Sequence, residues 1–159
     1  MYTLYTLLLR VLAPFVVVRL LVRGLRNRGY WHRIPERFGF IPPIAAPRVI
    51  WVHAVSVGEV RAAAPLVKAL RARYPEHRVL ITTMTPTGAA TVPLLFDGEV
   101  EHRYAPYDLP AAVARFLDRV RPEIAVVMET ELWPNFFRQC RERAIPLCIV
   151  NVRMSQSSM

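Results

Sequence analysis

Residues 1–48 are almost without acids: they hold eight arginines (10, 19, 23, 26, 28, 33, 37 and 48) and one carboxylate, Glu36. Cysteine is scarce as well. Cys140 and Cys148 are the two thiols of the chain, and no Cys/His cluster surrounds them. Their spacing is not that of a metal site, and they read as ordinary cytosolic thiols, with Cys148 inside a buried strand. His32, His53, His77 and His102 are scattered, and only His53, at the end of an apolar run, stands near a candidate site. The chain has no Gly-x-Gly-x-x-Gly, no Walker-type loop with Lys and no Gly-x-Ser-x-Gly elbow, which removes the usual motif-based routes to nucleotide binding and serine hydrolysis. It also lacks the Asp-x-Asp pair that holds a divalent ion beside a nucleotide sugar, and it shows no repeat and no low-complexity tract.

What is present is unevenly spread. Of the formal net charge of +9, residues 1–48 carry +7. Residues 1–22 are mostly apolar, interrupted by Arg10 and Arg19. As a helix they would extend about 33 Å, enough for a bilayer core. A central Arg costs roughly 2.5–3.5 kcal/mol on insertion scales, which opposes a clean span. Arg19, Arg23 and Arg26 recur at i, i+4 and i+7 on one helical face. The segment 1–28 therefore reads as a membrane anchor, spanning or lying in the interface, with a basic flank that favours a cytoplasmic position for the residues after it. A core helix of the folded domain is the plainer alternative. A cleaved signal peptide is disfavoured, because the charges come after the apolar run and no small-x-small site ends it. No nucleic-acid motif accompanies the arginines, so a nucleic-acid partner is not expected.

Residues 29–48 are rich in Gly, Pro, Arg and aromatics and read as a loop or linker. From 49 onward, short apolar runs alternate with helical patterns. Strands are expected at 49–53, 78–83, 100–104, 124–128 and 146–150, and helices at 58–73, 87–95, 110–120 and 133–143. This alternation predicts an α/β domain over 49–159, a Rossmann-like parallel sheet with flanking helices and right-handed crossovers. Three strand ends carry polar loops: Ser56-Val57-Gly58-Glu59, Thr82 to Gly88 (with Thr85 and Thr87), and Glu129-Thr130-Glu131. In a parallel sheet all three open on one edge, where open α/β sheets take ligands. Ser and Thr at helix starts also cap helices, and the acids after 128 could serve the next helix in the same way. Pro134 suits the first turn of that helix.

Taken together, Trp51-Val52-His53-Ala54-Val55-Ser56-Val57-Gly58-Glu59, Thr82-Thr83-Met84-Thr85-Pro86-Thr87-Gly88, Tyr107-Asp108-Leu109-Pro110 and Met128-Glu129-Thr130-Glu131-Leu132-Trp133-Pro134-Asn135, in this order, closely resemble the amino-terminal half of 3-deoxy-D-manno-octulosonic acid (Kdo) transferase. Asn151-Val152-Arg153-Met154-Ser155 fits as well. The resemblance implies the amino-terminal lobe of a two-lobed GT-B glycosyltransferase, inverting and metal-independent, without a cofactor. It implies transfer of Kdo from CMP-Kdo to the lipid A precursor at the cytoplasmic face of the bacterial inner membrane. The acceptor goes to this lobe and CMP-Kdo mostly to a second one.

The resemblance also gives Glu36, in Pro35-Glu36-Arg37-Phe38-Gly39-Phe40, the role of general base. A sugar hydroxyl is a poor nucleophile, and a positioned carboxylate can take its proton as it attacks the anomeric carbon. Read without the resemblance, Glu36 pairs locally with Arg33 or Arg37. Arg37, Ser56, Gly58, Glu59, Thr85, Thr87, Gly88, Glu129 and Glu131 are the candidate substrate-binding residues. The glutamates among them are expected to orient the acceptor or Glu36 and not to act as a second base. The family continues into a second lobe beyond the positions matched here, so the 159 residues are expected to be a fragment that transfers no sugar alone. The competing expectations are a non-catalytic module for a lipid surface and a GT-B transferase with another sugar or lipid.

Overall fold

A computed structural model describes residues 2–129 and 133–152. Five strands form one parallel sheet: β1 (Val49–His53), β2 (Arg78–Thr83), β3 (Glu101–Tyr104), β4 (Ile124–Met128) and β5 (Leu147–Val150). Their order is β3-β2-β1-β4-β5. Four helices connect them: α2 (Val57–Arg73), α3 (Pro86–Phe96), α4 (Pro110–Val120) and α5 (Pro134–Glu142). An earlier helix, α1 (Tyr2–Arg26), precedes the sheet. This is the α/β arrangement expected of a GT-B amino-terminal lobe.

Every residue of β1 is buried, which is why it reads as an unbroken apolar run and not as an alternation. Successive side chains point to opposite faces. Val49 and Trp51 join a core with Leu80, Val113, Phe116 and Phe136, on the side of α4 and α5. Ile50 and Val52 join the other, with Val60, Val67, Ile81 and Val92 of α2, β2 and α3. Burying each of these large apolar side chains contributes about 1.5–3 kcal/mol.

Strand β5 lies at an edge of the sheet, and there the structure departs from expectation. Cys148 is exposed, not buried. Its strand is apolar enough for an interior position, but among the described residues β5 borders β4 alone, and strand order is not written in a strand's own residues.

Residues 28–47 also have more structure than a linker. They carry two 3-10 turns, Arg28–Trp31 and Ile34–Phe38. Gly39 ends the second with φ 80°. A Cβ there would collide with the carbonyl oxygen of Ala112, so both the backbone conformation and the space call for glycine.

Helix α1 packs against the lobe. Tyr5, Leu9, Ala13 and Val16 line a cleft of about 280 Å³ opposite Phe38, Tyr107 and Trp133. Farther along, Leu20 is buried, and Gly24 gives room to the Trp31 ring, whose Nε1 donates to the Leu21 carbonyl at 3.1 Å. The opposite face of α1 exposes Leu7, Leu8, Val11, Phe15, Val18, Val22 and Leu25. The helix is long and apolar enough to cross a membrane.

Candidate active site

The C-terminal ends of β1, β2 and β4 lie on one edge, as parallel strands require, and their loops are stitched together past the strand ends. The Met84 amide donates to the Val55 carbonyl at 3.0 Å, and the Ala105 amide to the Thr83 carbonyl at 2.9 Å. The loops after β1, β2 and β3 therefore form one continuous rim.

Glu36 is placed on this rim by the second 3-10 turn. It is only 9% exposed. Its Oε2 accepts the Tyr104 amide at 2.8 Å, and its Oε1 accepts Arg33 Nε at 2.7 Å. The local ion pair read from the sequence is thus present, and the Tyr104 amide is a second hold on the same carboxylate. Each carboxylate oxygen has two acceptor sites, so both oxygens can still take a proton.

Arg33 does more than pair with Glu36. Its Nη2 donates to the His102 carbonyl at 2.7 Å, and its Nη1 lies 3.1 Å from His102 Nδ1. A guanidinium can only donate, so Nδ1 is the accepting nitrogen and the neutral ring carries its proton on Nε2. Nε2 faces Thr83 Oγ1 at 3.0 Å, and Thr83 Oγ1 donates onward to the Thr85 carbonyl at 3.3 Å. Burial, then the charges of Arg33, Arg103 and Arg37, lower His102 to about 3, so it stays neutral.

Arg37 lies beneath the same rim. Its Nη1 donates to the Met84 carbonyl at 3.0 Å, its guanidinium sits 4.1 Å from the Tyr104 ring centroid, and its own carbonyl accepts the Tyr107 amide at 2.8 Å. Arg37 is thereby brought beside Glu36 and the β2–α3 loop.

The remaining candidates divide into those with structural work and those without. Glu59 accepts the Val55 amide at 2.8 Å and the Ser56 hydroxyl at 2.9 Å. Ser56 and Glu59 thus resemble a capping box at the start of α2, although Ser56 itself makes no side-chain cap bond to the helix. Thr85 caps α3 by accepting the Gly88 amide at 3.1 Å, and Thr87 donates to Thr85 Oγ1 at 3.4 Å. Gly88 is packed close: a Cβ there would lie 3.0 Å from Thr85 Oγ1. Gly58 is not, since its nearest neighbour would be 3.8 Å away. Packing gives no reason for glycine at 58.

Glu129 ends β4 in the left-handed region, φ 60°, which strains a side-chain-bearing residue. It is half-buried. The strand order puts it three strands from the β3 end that holds Glu36, about 14 Å at the usual interstrand spacing. The two carboxylates share an edge but not a hydrogen bond. Glu131 lies outside the described residues.

The sequence reading nominated none of the residues that join α1 to this edge. Asp108 is buried and accepts the Asn135 and Phe136 amides at 3.0 and 2.8 Å. It caps α5 from a distant loop and also accepts the Tyr5 hydroxyl at 2.9 Å. Burial raises its pKa, and the bonds from Asn135, Tyr5 and Phe136 oppose that rise. Thr6 donates to Asn135 Oδ1 at 3.0 Å. The available signal was an acid before a Pro and an Asn after one, in two separate motifs. His53 meets the same region, buried between Thr82 (Nδ1 to Oγ1 2.9 Å) and the Trp133 ring, and burial lowers it to about 4, with a Thr82 backbone hydrogen bond opposing the fall. Among the described residues no group of three or more His, Cys, Asp or Glu is placed to hold a metal ion.

A family model described as 3-Deoxy-D-manno-octulosonic-acid transferase (kdotransferase) matches residues 32–159. The chain belongs to this family. The Kdo transferase match includes Glu36, Arg37 and the whole sheet. Among curated proteins, the chain is 42% identical over 159 residues to a 3-deoxy-D-manno-octulosonic acid transferase of Haemophilus influenzae, covering 97% of this chain and 36% of that protein. It is 42% identical over 166 residues to the enzyme of the same name from Bordetella pertussis, covering 98% of this chain and 38% of that one. It is 35% identical over 158 residues to a probable mitochondrial Kdo transferase of Arabidopsis thaliana, covering 99% and 35%. The chain thus spans little more than a third of the length of these relatives.

Proposed function

We propose that this chain is the acceptor-binding part of an enzyme that transfers Kdo from CMP-Kdo to the lipid A precursor in lipopolysaccharide biosynthesis, with inversion and without a metal, Glu36 acting as general base. The observation that carries the reading is the placement of Glu36. It is a nearly buried carboxylate fixed at two points on the rim of the sheet's C-terminal edge, within the segment that matches the Kdo transferase family. In this mechanism Glu36 takes the proton of an acceptor hydroxyl as its oxygen attacks the anomeric carbon of the donor, and cytidine monophosphate departs with the bonding electrons. The Ser56, Gly58 and Thr85 loops orient the acceptor beside it. The donor is held mainly by a second lobe, so the 159 residues alone are expected to transfer no sugar.

The enzyme in this reading works at the cytoplasmic face of the inner membrane. Helix α1 is docked along its length, from Tyr5 to Gly24, and exposes an apolar face on the other side. That geometry supports a helix lying in the interface more than one crossing the bilayer upright, because a spanning helix cannot keep a polar lobe packed along it. The arginines near its end favour an anionic leaflet.

The test is transfer of Kdo from CMP-Kdo to lipid A precursor by the protein extended through its second lobe. Activity in the parent with a loss of about 10²–10⁴-fold in Glu36→Gln is expected. The Arg33 ion pair favours one other reading, in which Glu36 only holds the turn and the chain is a binding module. In that case Glu36→Gln lowers stability and leaves transfer per folded molecule unchanged, or the folded parent transfers nothing.

A further inference from the structure

Arg33 stands at a position that suits glycine. Its backbone is left-handed, φ 56°, a conformation that glycine adopts freely and that a side chain resists. The bonds of its guanidinium offset that strain. Nε donates to Glu36 Oε1 at 2.7 Å, Nη2 to the His102 carbonyl at 2.7 Å, and Nη1 to His102 Nδ1 at 3.1 Å. The Tyr104 ring centroid lies 5.3 Å from the same group. The Arg33 side chain is 39% exposed, and an ion pair with so much water access is loose when it stands alone. The guanidinium is a rigid planar fork, however, so holding both Nη atoms also fixes the direction of Nε–H. His102 supplies both holds.

His102 is itself held. Its carbonyl also accepts Arg103 Nη1 at 2.9 Å, and its ring meets the Tyr104 ring edge-on, with centroids 5.4 Å apart. On the far side Nε2 faces Thr83 Oγ1 at 3.0 Å, and the Thr83 hydroxyl spends its own hydrogen on the Thr85 carbonyl at 3.3 Å. Thr83 therefore accepts from Nε2–H, which leaves Nδ1 free to accept from Arg33. Every donor in the chain points the same way, from Arg33 through His102 and Thr83 to the β2–α3 loop. Burial, with Arg33, Arg103 and Arg37 nearby, lowers His102 to about 3, so Nδ1 keeps its lone pair near neutral pH.

We infer that His102 is a positioning residue for Glu36: through Arg33 it aims the carboxylate and ties it to the β2–α3 loop. It acts on Arg33 and not on the acceptor. Its place in a reaction rests on the reading of Glu36 as the base, whereas its hold on Arg33 is measurable without transfer.

Two substitutions divide the work of the imidazole. His102→Asn keeps an acceptor in the place of Nδ1, and His102→Gln keeps a donor in the place of Nε2. In the protein extended through its second lobe, His102→Gln is expected to lower kcat about tenfold with KM unchanged, the worth of one charge-assisted hydrogen bond. His102→Asn is expected to keep kcat within about twofold of the parent. In a Glu36→Gln background, His102→Gln is expected to change the residual rate by less than about twofold, because a residue that works through Glu36 has nothing left to aim. Equal losses in the two His102 variants, or a full tenfold loss in the Glu36→Gln background, would give His102 a merely structural part and overturn the inference. In the 159-residue chain, nitrogen-15 NMR is expected to show His102 with its proton on Nε2 and a slowly exchanging Arg33 Nε–H. That exchange is expected to quicken about tenfold in His102→Gln and to stay as in the parent in His102→Asn. A proton on Nδ1, or unchanged exchange in His102→Gln, overturns the inference whatever the enzyme does. Absence of Kdo transfer by the folded parent, with the Arg33 proton held through His102, rejects Glu36 as the base of that reaction and leaves the positioning of its carboxylate standing.

Discussion

Gly58 and Gly88 sit at equivalent places near the starts of α2 and α3, and their surroundings differ. Nothing but ordinary contact awaits a methyl at 58, whereas at 88 it meets Thr85 Oγ1 at 3.0 Å and Thr83 at 3.3 Å. Gly58→Ala is expected to leave stability unchanged or to raise it by up to about 1 kcal/mol, as Ala is the better helix former. Gly88→Ala is expected to cost about 1–3 kcal/mol. Urea denaturation checks both. Loss of transfer in a Gly58→Ala enzyme of full stability would then mark that position as one a substrate approaches. The histidines give a second expectation. His53 is lowered to about 4 and His102 to about 3 from an ordinary 6.5, in each case chiefly by burial. As pH falls below 6.5 the unfolded chain binds protons that the folded chain refuses. The stability of the folded form, complete above 6.5, therefore declines toward pH 5 by on the order of 1 kcal/mol per pH unit for each histidine. His53→Gln should halve that slope, and an unchanged slope would show that His53 is not neutral in the native protein.

At the scale of elements, most of the sheet was legible. The runs at 49–53, 78–83 and 124–128 and the helix at 110–120 coincide with the observed elements, because both faces of the sheet are covered at β1, β2 and β4 and these central strands are predominantly apolar. The 3-10 turns were not legible. Gly and Pro mark residues 29–47 as irregular, and what makes the turns is tertiary: the Glu36–Tyr104 bond spans 68 positions. For the same reason His102, beside Arg33, and Asp108, between α1 and α5, went unnoticed, since each acquires its partners only when distant segments meet. The exposure of Cys148 depended on strand order, and the close approach of Trp31 to α1 on one small residue, Gly24. Gly24→Val places branched carbon where the indole lies, so α1 and the first 3-10 turn cannot keep their contact. Faster proteolysis between residues 26 and 33 and a red-shifted Trp31 emission are expected, with the sheet's unfolding transition retained. An unaltered cleavage rate would mean that the contact does not hold α1.

For the molecule as a whole, the α1 side exposes an apolar helix face and the Trp31 ring bonded to that helix, whereas Trp51 lies in the interior. Brominated phospholipids should therefore quench a variant whose sole tryptophan is Trp31 and spare one whose sole tryptophan is Trp51. Quenching of neither would argue against attachment through this side. The hold on Glu36 also bears on how the chain tolerates length changes. The carboxylate is metered by the last amide of β3 and by Arg33, three residues before it, and not by the connection that leads on to β1. Extra residues at 45–47, where the backbone runs along the surface, would lengthen the tether and leave the carboxylate's address unchanged. A single insertion between 33 and 36 would shift it off the sheet by a whole residue's rise.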